Sequence, residues 1–449
     1  MTGARLRARI ANPHLRRMAG NTGWLIGERV LGGLIAISVT VAVARFLGPA
    51  QFGVLSYALS FVLLFATLWT LGLSGIVVRD LVREPSRHDE ILGTLFALRL
   101  VGGAVGIVAI LAAAALVAPP DPTTRMAIAV LAFATLFYAF DGVDFWLQSE
   151  VRSRFAVLAR SSALVLTAGL NLALIALQAP LMAFAVAAAL EYVLAGVGLV
   201  AVYRLLGRSP VDWRPSWGRA RDLVSRSWPL MLSGAFYSVN LKVDQLMLGN
   251  LAGADSVGTY AAASRISEVW YFVPTAIAAS AFPALVLARD AGGQRYGANV
   301  QRLYDLVIWL ALPLAVAVTL ASGRIIDVLF GAAYAGSVPI LMIHIWASPF
   351  VFMGAILSRW LIAEDLLRFS LARHGAGAVA NVAVNFVTIP LFGGVGAAIA
   401  TLVSYGVASF VVCFAYKPTR PAARQMTLAL LVPVRSLASL GAALWHGRR

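Results

Sequence analysis

Residues 46–58 read FLGPAQFGVLSYA, and residues 251–263 read LAGADSVGTYAAA. Gly48 falls opposite Gly253, Gly53 opposite Gly258 and Phe52 opposite Val257, all at one constant offset. Each stretch follows one long apolar run and leads into another. Each reads as a tight turn feeding a new helix, with glycine supplying backbone angles that other residues resist. Two like turns imply two like halves.

The runs around these turns set the class of the protein. Of 449 residues, 60% are hydrophobic and only 12% are Asp, Glu, Lys or Arg, and the mean hydropathy is +0.83. So many long apolar runs cannot all be the core of a water-soluble domain, so the chain is expected to be an integral membrane protein. We divide it into about twelve spans: 20–44, 51–74, 91–117, 126–147, 156–177, 181–203, 227–249, 258–284, 303–321, 338–362, 369–390 and 394–416. Each crosses ~30 Å of hydrocarbon as a helix. None alternates as a barrel strand would. The expected fold is an all-α membrane protein with two six-helix bundles.

The basic residues set its topology. With the amino terminus inside, most of the 36 Lys and Arg residues fall on the cytoplasmic side, and Arg45, Arg125 and Arg324 fall outside. This follows the positive-inside rule, so the net charge of +16 is expected to meet anionic lipid rather than nucleic acid. The expected domains are a basic cytoplasmic tail (1–19), an amino-terminal bundle (20–203), a cytoplasmic linker (204–226) and a carboxyl-terminal bundle (227–416). A second basic cytoplasmic tail (417–449) has the makings of an amphipathic helix. The apolar stretch behind the first arginines is expected to be a retained helix, not a cleaved leader. Both halves start inside, which makes them parallel repeats of the kind that suits alternating access.

The short external loops leave no room for a catalytic domain, which argues against a membrane-bound glycan polymerase or ligase. No nucleophile, ATPase or dinucleotide motif is present. Cys413, the one cysteine, and the 5 scattered histidines offer no metal site. No enzyme activity and no resident cofactor are expected.

Charges inside spans are costly and belong on a bundle interior or a wet cavity. Such residues are Glu28, Arg29, Arg99, Asp141, Asp144, Glu191, Lys242, Asp244, Arg265 and Glu268. Arg265 and Glu268 have the spacing of an intrahelical pair. Asp141 and Asp144 have Arg152 and Arg154 within reach. Arg99 either snorkels or meets a lipid phosphate. Lys242 and Asp244 diverge around their helix, so each needs a partner elsewhere, for which Glu28 and Arg29 are candidates. Uncompensated Arg and Lys suit an anionic cargo such as a lipid diphosphate. Polar and aromatic residues such as Tyr237, Asn240, Gln245, Asn381 and Asn385 suit sugars.

Several ordered stretches carry a family resemblance. They include VARFLGPAQFGVLSYALSF, DFWLQSEVRSRFAVLARS, SWPLMLSGAFYSVNLKVDQLMLGNLAG, VGTYAAASRISEVWYFVPTAI and GGVGAAIATLVSY. Through them, residues 20–416 resemble the O-antigen-type polysaccharide lipid flippases of the MATE-like exporter superfamily. The resemblance implies two six-helix bundles forming a V around a central cavity. It also implies transport of undecaprenyl-diphosphate-linked oligosaccharide between leaflets of the bacterial cytoplasmic (inner) membrane. The product then feeds O-antigen (lipopolysaccharide), capsule or exopolysaccharide synthesis. The implied partners are that glycan-lipid, membrane lipids, and the polymerase and chain-length regulator of the pathway. On this resemblance Arg29, Lys242 and Arg265, and more weakly Arg99, are expected to bind diphosphate. Glu28, Asp244, Glu268, Asp141 and Asp144 are expected to tune the cavity or couple transport to H+ or Na+. A cation-coupled exporter of drugs or other small molecules shares the fold and stays open as an alternative, as does a lipid II flippase.

Overall fold

The computed structural model describes residues 13–290, 294–432 and 435. Most of the expected amino-terminal tail and about half of the expected carboxyl-terminal tail lie outside them. The described residues are helical, with no strand. In chain order the helices are α1 (Pro13–Leu64), α2 (Ala66–Thr70), α3 (Ser74–Arg83), α4 (His88–Val117), α5 (Pro122–Ala134) and α6 (Gly142–Ser149). Then come α7 (Ser153–Ala176), α8 (Leu181–Leu205), α9 (Trp217–Leu251), α10 (Gly253–Glu268), α11 (Phe272–Asp290) and α12 (Gln294–Phe330). The last are α13 (Ser337–His344), α14 (Ser348–Ala363), α15 (Leu367–Phe392), α16 (Gly394–Gly406), α17 (Val412–Ala415) and α18 (Arg420–Leu430).

Among the described residues, 10 stretches are long and apolar enough to cross a membrane. This differs from the twelve expected spans at two places. Val30–Leu64 is one stretch because α1 runs through the first turn and merely kinks at Gly48, so it holds the first expected span and much of the second. The expected span 227–249 is missing from the ten because Asn240, Lys242, Asp244 and Gln245 dilute its apolar character. The surfaces fit a lipid surround. Leu116 is 86% exposed and Leu320 83%, which water would penalise and hydrocarbon does not.

The two matched turns behave alike. Gly48 has φ 69° and Gly253 φ 83°, both in the region that favours glycine. A Cβ at either position would meet nothing within 4 Å, so backbone angle alone demands the glycine. Their followers Phe52 and Val257 are both buried. Several expected spans are interrupted in the middle. A 3-10 segment, Thr135–Asp141, separates α5 from α6, another, Ile345–Ala347, separates α13 from α14, and a π-helical turn, Val407–Val411, follows α16. Interruptions of this kind release backbone groups from the helical ladder.

The chain separates into two compact units, 1–238 and 239–449, with the boundary inside α9. Unit 1 has a core of Leu73, Val77, Ile91, Leu92, Leu95, Val143, Trp146 and Tyr203 at the α3–α4–α6–α8 junction. Unit 2 centres on Tyr304, Phe352, Met353, Ile356, Leu357 and Cys413, and α18 packs onto this core through Ala422, Ala423 and Met426.

The hydrophilic stretch 204–226 is not slack. Trp213 packs at a tilt against Phe96 and Tyr203, with ring centroids 5.4 and 5.8 Å away, and Ser216 N donates to Thr94 Oγ1 at 3.0 Å. Gly93 lets the strand-like passage at Arg214 come so close that a Cβ would sit 2.6 Å from Arg214 N. From Trp217 the chain is already helical. Arg219 grips Glu84 with two bonds, of 3.1 and 2.6 Å, and Arg226 grips Asp80 at 2.7 and 3.3 Å. Forked pairs of this kind combine charge with fixed geometry. Hydrogen bonding by Arg219, and after it the Arg219 and Arg87 charges, hold the Glu84 carboxyl below its ordinary range. Burial pushes Asp80 up, but Arg226 and Arg79 outweigh it and hold that carboxyl low as well.

Candidate functional site

Each unit holds one concentration of polar groups at membrane depth. In unit 2 it is built on α9. Asp244 is 2% exposed. Its Oδ1 accepts from Asn385 Nδ2 at 2.5 Å, and its Oδ2 lies 3.0 Å from Tyr260 Oη and 2.8 Å from Thr401 Oγ1. Asn385 also reaches Asn381 Oδ1 at 2.6 Å, and Asn381 reaches Ser404 Oγ at 3.3 Å. Four helices, α9, α10, α15 and α16, thus converge on one carboxylate. Every direct partner is neutral, and Asn385 Oδ1 is buried without a hydrogen-bond partner. A buried carboxylate held only by neutral groups is costly and is relieved by a proton or a cation. The oxygens of Asp244, Thr401, Tyr260 and the two asparagines form a hard donor set, the kind that suits H+ or Na+.

Lys242, two residues away, points elsewhere on α9. Its side chain is 11% exposed, and its Nζ lies 4.0 Å from Glu268 Oε2. The like charge of Arg265 acts on it from α10, and Arg265 is exposed. The expected intrahelical pairing of Arg265 with Glu268 does not form, because Glu268 turns to Lys242. Within unit 2, Lys242 lies beside Glu268 and Asp244 sits in the neutral cluster. Arg29 lies on α1, but its side chain falls outside the described ones.

Unit 1 holds a cavity of about 560 Å³. Glu28 of α1, Asp141 at the end of the 3-10 segment, Arg160 of α7 and Glu191 of α8 supply its charges, and Tyr138 and Tyr192 line it with rings 5.3 Å apart. An apolar groove of about 460 Å³ edged by Trp24, Leu31 and Leu158 shares Glu28 and Ser161 with it. Arg160 binds Asp144 at 2.6 Å and lies 3.8 Å from Asp141. Arg160 sits within α7, about two turns past its start, and takes the place expected for Arg152 and Arg154 as the partner of the two aspartates.

Arg99 departs from its expected role. It is 3% exposed, donates to the Tyr138 carbonyl at 2.7 Å, pairs with Asp141 at 3.2 Å and lies over the Phe145 ring at 5.0 Å. That carbonyl belongs to the 3-10 segment, so Arg99 binds the segment's backbone as well as Asp141. Arg99 therefore secures the cavity wall from behind rather than meeting a lipid phosphate.

Comparison with known proteins follows this geometry. The sequence profile of a family described as "Polysaccharide biosynthesis protein" matches residues 18–288. A probable flippase, AglR of Haloferax volcanii, is 29% identical over 173 residues, which are 38% of this chain and 36% of that protein. The match therefore spans about a third of that relative. Among solved structures, the lipid II flippase MurJ in an inward closed conformation superposes with a TM-score of 0.67 at 13% identity, covering 93% of this chain and 92% of that one. An inward-facing multidrug resistance MATE family transporter of the MOP superfamily gives 0.68 at 17% identity, over 87% and 95%. The fold is shared with both.

Proposed function

This chain belongs to the polysaccharide biosynthesis protein family, and on that premise we propose that it is a flippase for a lipid-linked glycan. Its cargo would be an undecaprenyl-diphosphate-linked oligosaccharide, moved from the inner to the outer leaflet of the bacterial inner membrane by alternating access. The product would serve O-antigen, capsule or exopolysaccharide synthesis, handed on to a polymerase and its chain-length regulator. Both termini would be cytoplasmic, where their basic residues meet anionic lipid.

The observation that carries this reading is the family match over residues 18–288, joined to a multi-pass helical fold. Lys242 and Arg265 supply the positive charge in unit 2 that a diphosphate requires. Glu268 holds Lys242 in place until the anion arrives. Asp244 is the coupling residue in this reading. Its neutral cage exchanges a proton or a sodium ion as the transporter cycles, which supplies the energy that no ATPase motif provides.

The acidic side of the unit 1 cavity favours a second reading, export of an organic cation. One experiment separates the two. Purified protein in vesicles is supplied with labelled polyprenyl-diphosphate oligosaccharide, and label accessibility is followed on each leaflet. Exchange that requires the protein and falls in Lys242→Ala supports the flippase. Absence of exchange, together with uptake of a lipophilic cation, supports the exporter.

A further inference from the structure

His344 belongs to unit 2, beside the Asp244 cluster and outside its hydrogen bonds. It is the last residue of α13, just before the 3-10 segment Ile345–Ala347, and it is 1% exposed. Its Nδ1 is buried without a hydrogen-bond partner. No hydrogen bond at that atom fixes the ring in its neutral form, and a buried polar atom left so is costly until a partner arrives.

The ring stands between two groups that the flippase reading already uses. It meets the Tyr260 ring edge-on, with centroids 5.7 Å apart, and the Tyr260 hydroxyl lies 3.0 Å from Asp244 Oδ2. Glu268 of α10 and Lys242 of α9 both act on it through their charges. The placement is firm. Ser337 Oγ donates to the Thr259 carbonyl at 2.7 Å, which ties the start of α13 to α10, and a Cβ on Gly394 of α16 would sit 2.5 Å from Ile340 Cδ1. The helices packed on α13 are α10, α12 and α16. Besides Glu268 and Tyr260, α10 carries Asp255 in its first turn and Arg265, which is exposed. The charges of α12 lie toward its ends, at Arg295, Arg302 and Asp305 and at Arg324 and Asp327, and α16 brings only Tyr405.

The balance between Lys242 and Glu268 decides what the ring meets. While Lys242 Nζ stands 4.0 Å from Glu268 Oε2, their opposite charges largely cancel at His344. An anion that takes Lys242 leaves the Glu268 carboxylate uncompensated and adds negative charge of its own. Both changes make room for a positive charge on the imidazole.

We propose that His344 is a second proton-binding residue of unit 2, which takes up one proton as an anion docks at Lys242 and returns it when the anion leaves. The proton comes from solvent, and no bond to the cargo is made or broken. This rests on the reading of Lys242 as the anion-binding group and deepens it. Cargo binding itself becomes proton-linked, apart from any ion held by Asp244. By reciprocity, the anion is held more tightly as pH falls.

The test uses the full chain in nanodiscs and one probe, undecaprenyl-diphosphate-linked N-acetylglucosamine. Both of its phosphates are esterified at each end of the diphosphate, so the probe keeps its charge across the neutral range. Wild-type affinity is expected to rise about ten-fold or more from about pH 8 to about pH 6, since uptake of one proton gives at most ~ten-fold per pH unit. His344→Gln and His344→Phe, the second of which keeps a ring edge on Tyr260, are expected to flatten the rise to about two-fold or less. Either variant alone keeps the test valid if the other fails to fold. Affinity independent of pH in the wild type overturns the proposal, as does an undiminished rise in both variants. Leaflet exchange is measured in parallel. Exchange by a wild type whose binding shows no His344-dependent rise keeps the flippase and removes the proton. A His344-dependent rise in a wild type that exchanges no lipid keeps the proton and removes the flippase.

Discussion

Asn385 donates to Asp244 across 141 residues of sequence, and the two side chains close to 2.5 Å in a place that water does not reach. Asn381 lies one helical turn before Asn385 and steadies it, so the pair belongs to a ladder running from Asp244 through Asn385 and Asn381 to Ser404. The ladder ties α9 to α15 and α16.

Asp244→Asn keeps the shape and removes the charge. If Asp244 couples transport, the variant loses dependence of leaflet exchange on a pH or sodium gradient while remaining folded. Asp244→Ala instead strands Asn385, Thr401 and Tyr260 without an acceptor, and is expected to cost roughly 2–4 kcal/mol. Exchange assays under imposed gradients and thermal unfolding in detergent read the two effects apart. Unchanged gradient dependence in Asp244→Asn removes the coupling role.

Lys242→Ala is expected to weaken binding of undecaprenyl diphosphate by about ten-fold or more, the scale of one charge-assisted contact. Glu268→Gln acts in the opposite direction, because it releases Lys242 from its 4.0 Å partner. A binding isotherm for each variant checks the opposition of sign. Weakening in both would mean that the pair matters to the fold and not to the anion.

Two glycines test backbone angle against close packing. Gly48→Ala is expected to cost ~1–3 kcal/mol, because φ 69° and ψ 170° together are nearly reserved for glycine. Gly102→Ala is expected to cost on the order of 3 kcal/mol or more, because its Cβ would lie 2.2 Å from the Leu68 carbonyl oxygen. Gly27→Ala, with nothing within 4 Å and ordinary helical geometry, serves as the control. Melting temperatures in one detergent rank the three.

The clamp formed by Glu84 and Asp80 with Arg219 and Arg226 gives a pH signature. Both carboxyls are held below their ordinary values in the folded protein. The stabilisation is therefore complete above the unfolded carboxylate range. It is lost as pH falls below about 4 and through the lowered folded values. Glu84→Gln should flatten the acid limb of a stability-versus-pH curve and leave the neutral region little lower, since the pair is partly exposed. An acid limb identical to wild type would show that Glu84 contributes nothing to it.

What the sequence made legible follows from locality. The glycines at 48 and 253 announced their turns because a φ requirement acts within a residue or two. The apolar runs announced the membrane because span length is a local property. Partners were less legible. Glu268 was paired on paper with Arg265, three residues away, but the structure gives it Lys242 on the preceding helix. Arg160 and Arg373 lie near the starts of expected spans, where sequence alone gives no partner. Arg160 meets Asp144 within unit 1, and Arg373 is 4% exposed and donates to Ser358 Oγ at 2.8 Å. Charge counting is blind to a turn or two of depth. The unit 1 cavity was only partly visible, because Tyr138 and Tyr192 carry no signal that separates a binding face from packing.

The anchored passage from Trp213 to Arg226 has a consequence for how the chain tolerates being cut. Just before it, Gly207 takes a left-handed turn at φ 76° beside Leu205, which is 86% exposed. A protease reaching that corner would sever the backbone, yet Trp213, Arg219 and Arg226 would keep the new amino-terminal end docked on α3, α4 and α8. Polarity marks this connector as facing water, but its contacts make it a seam, and a nicked molecule would stay in one piece.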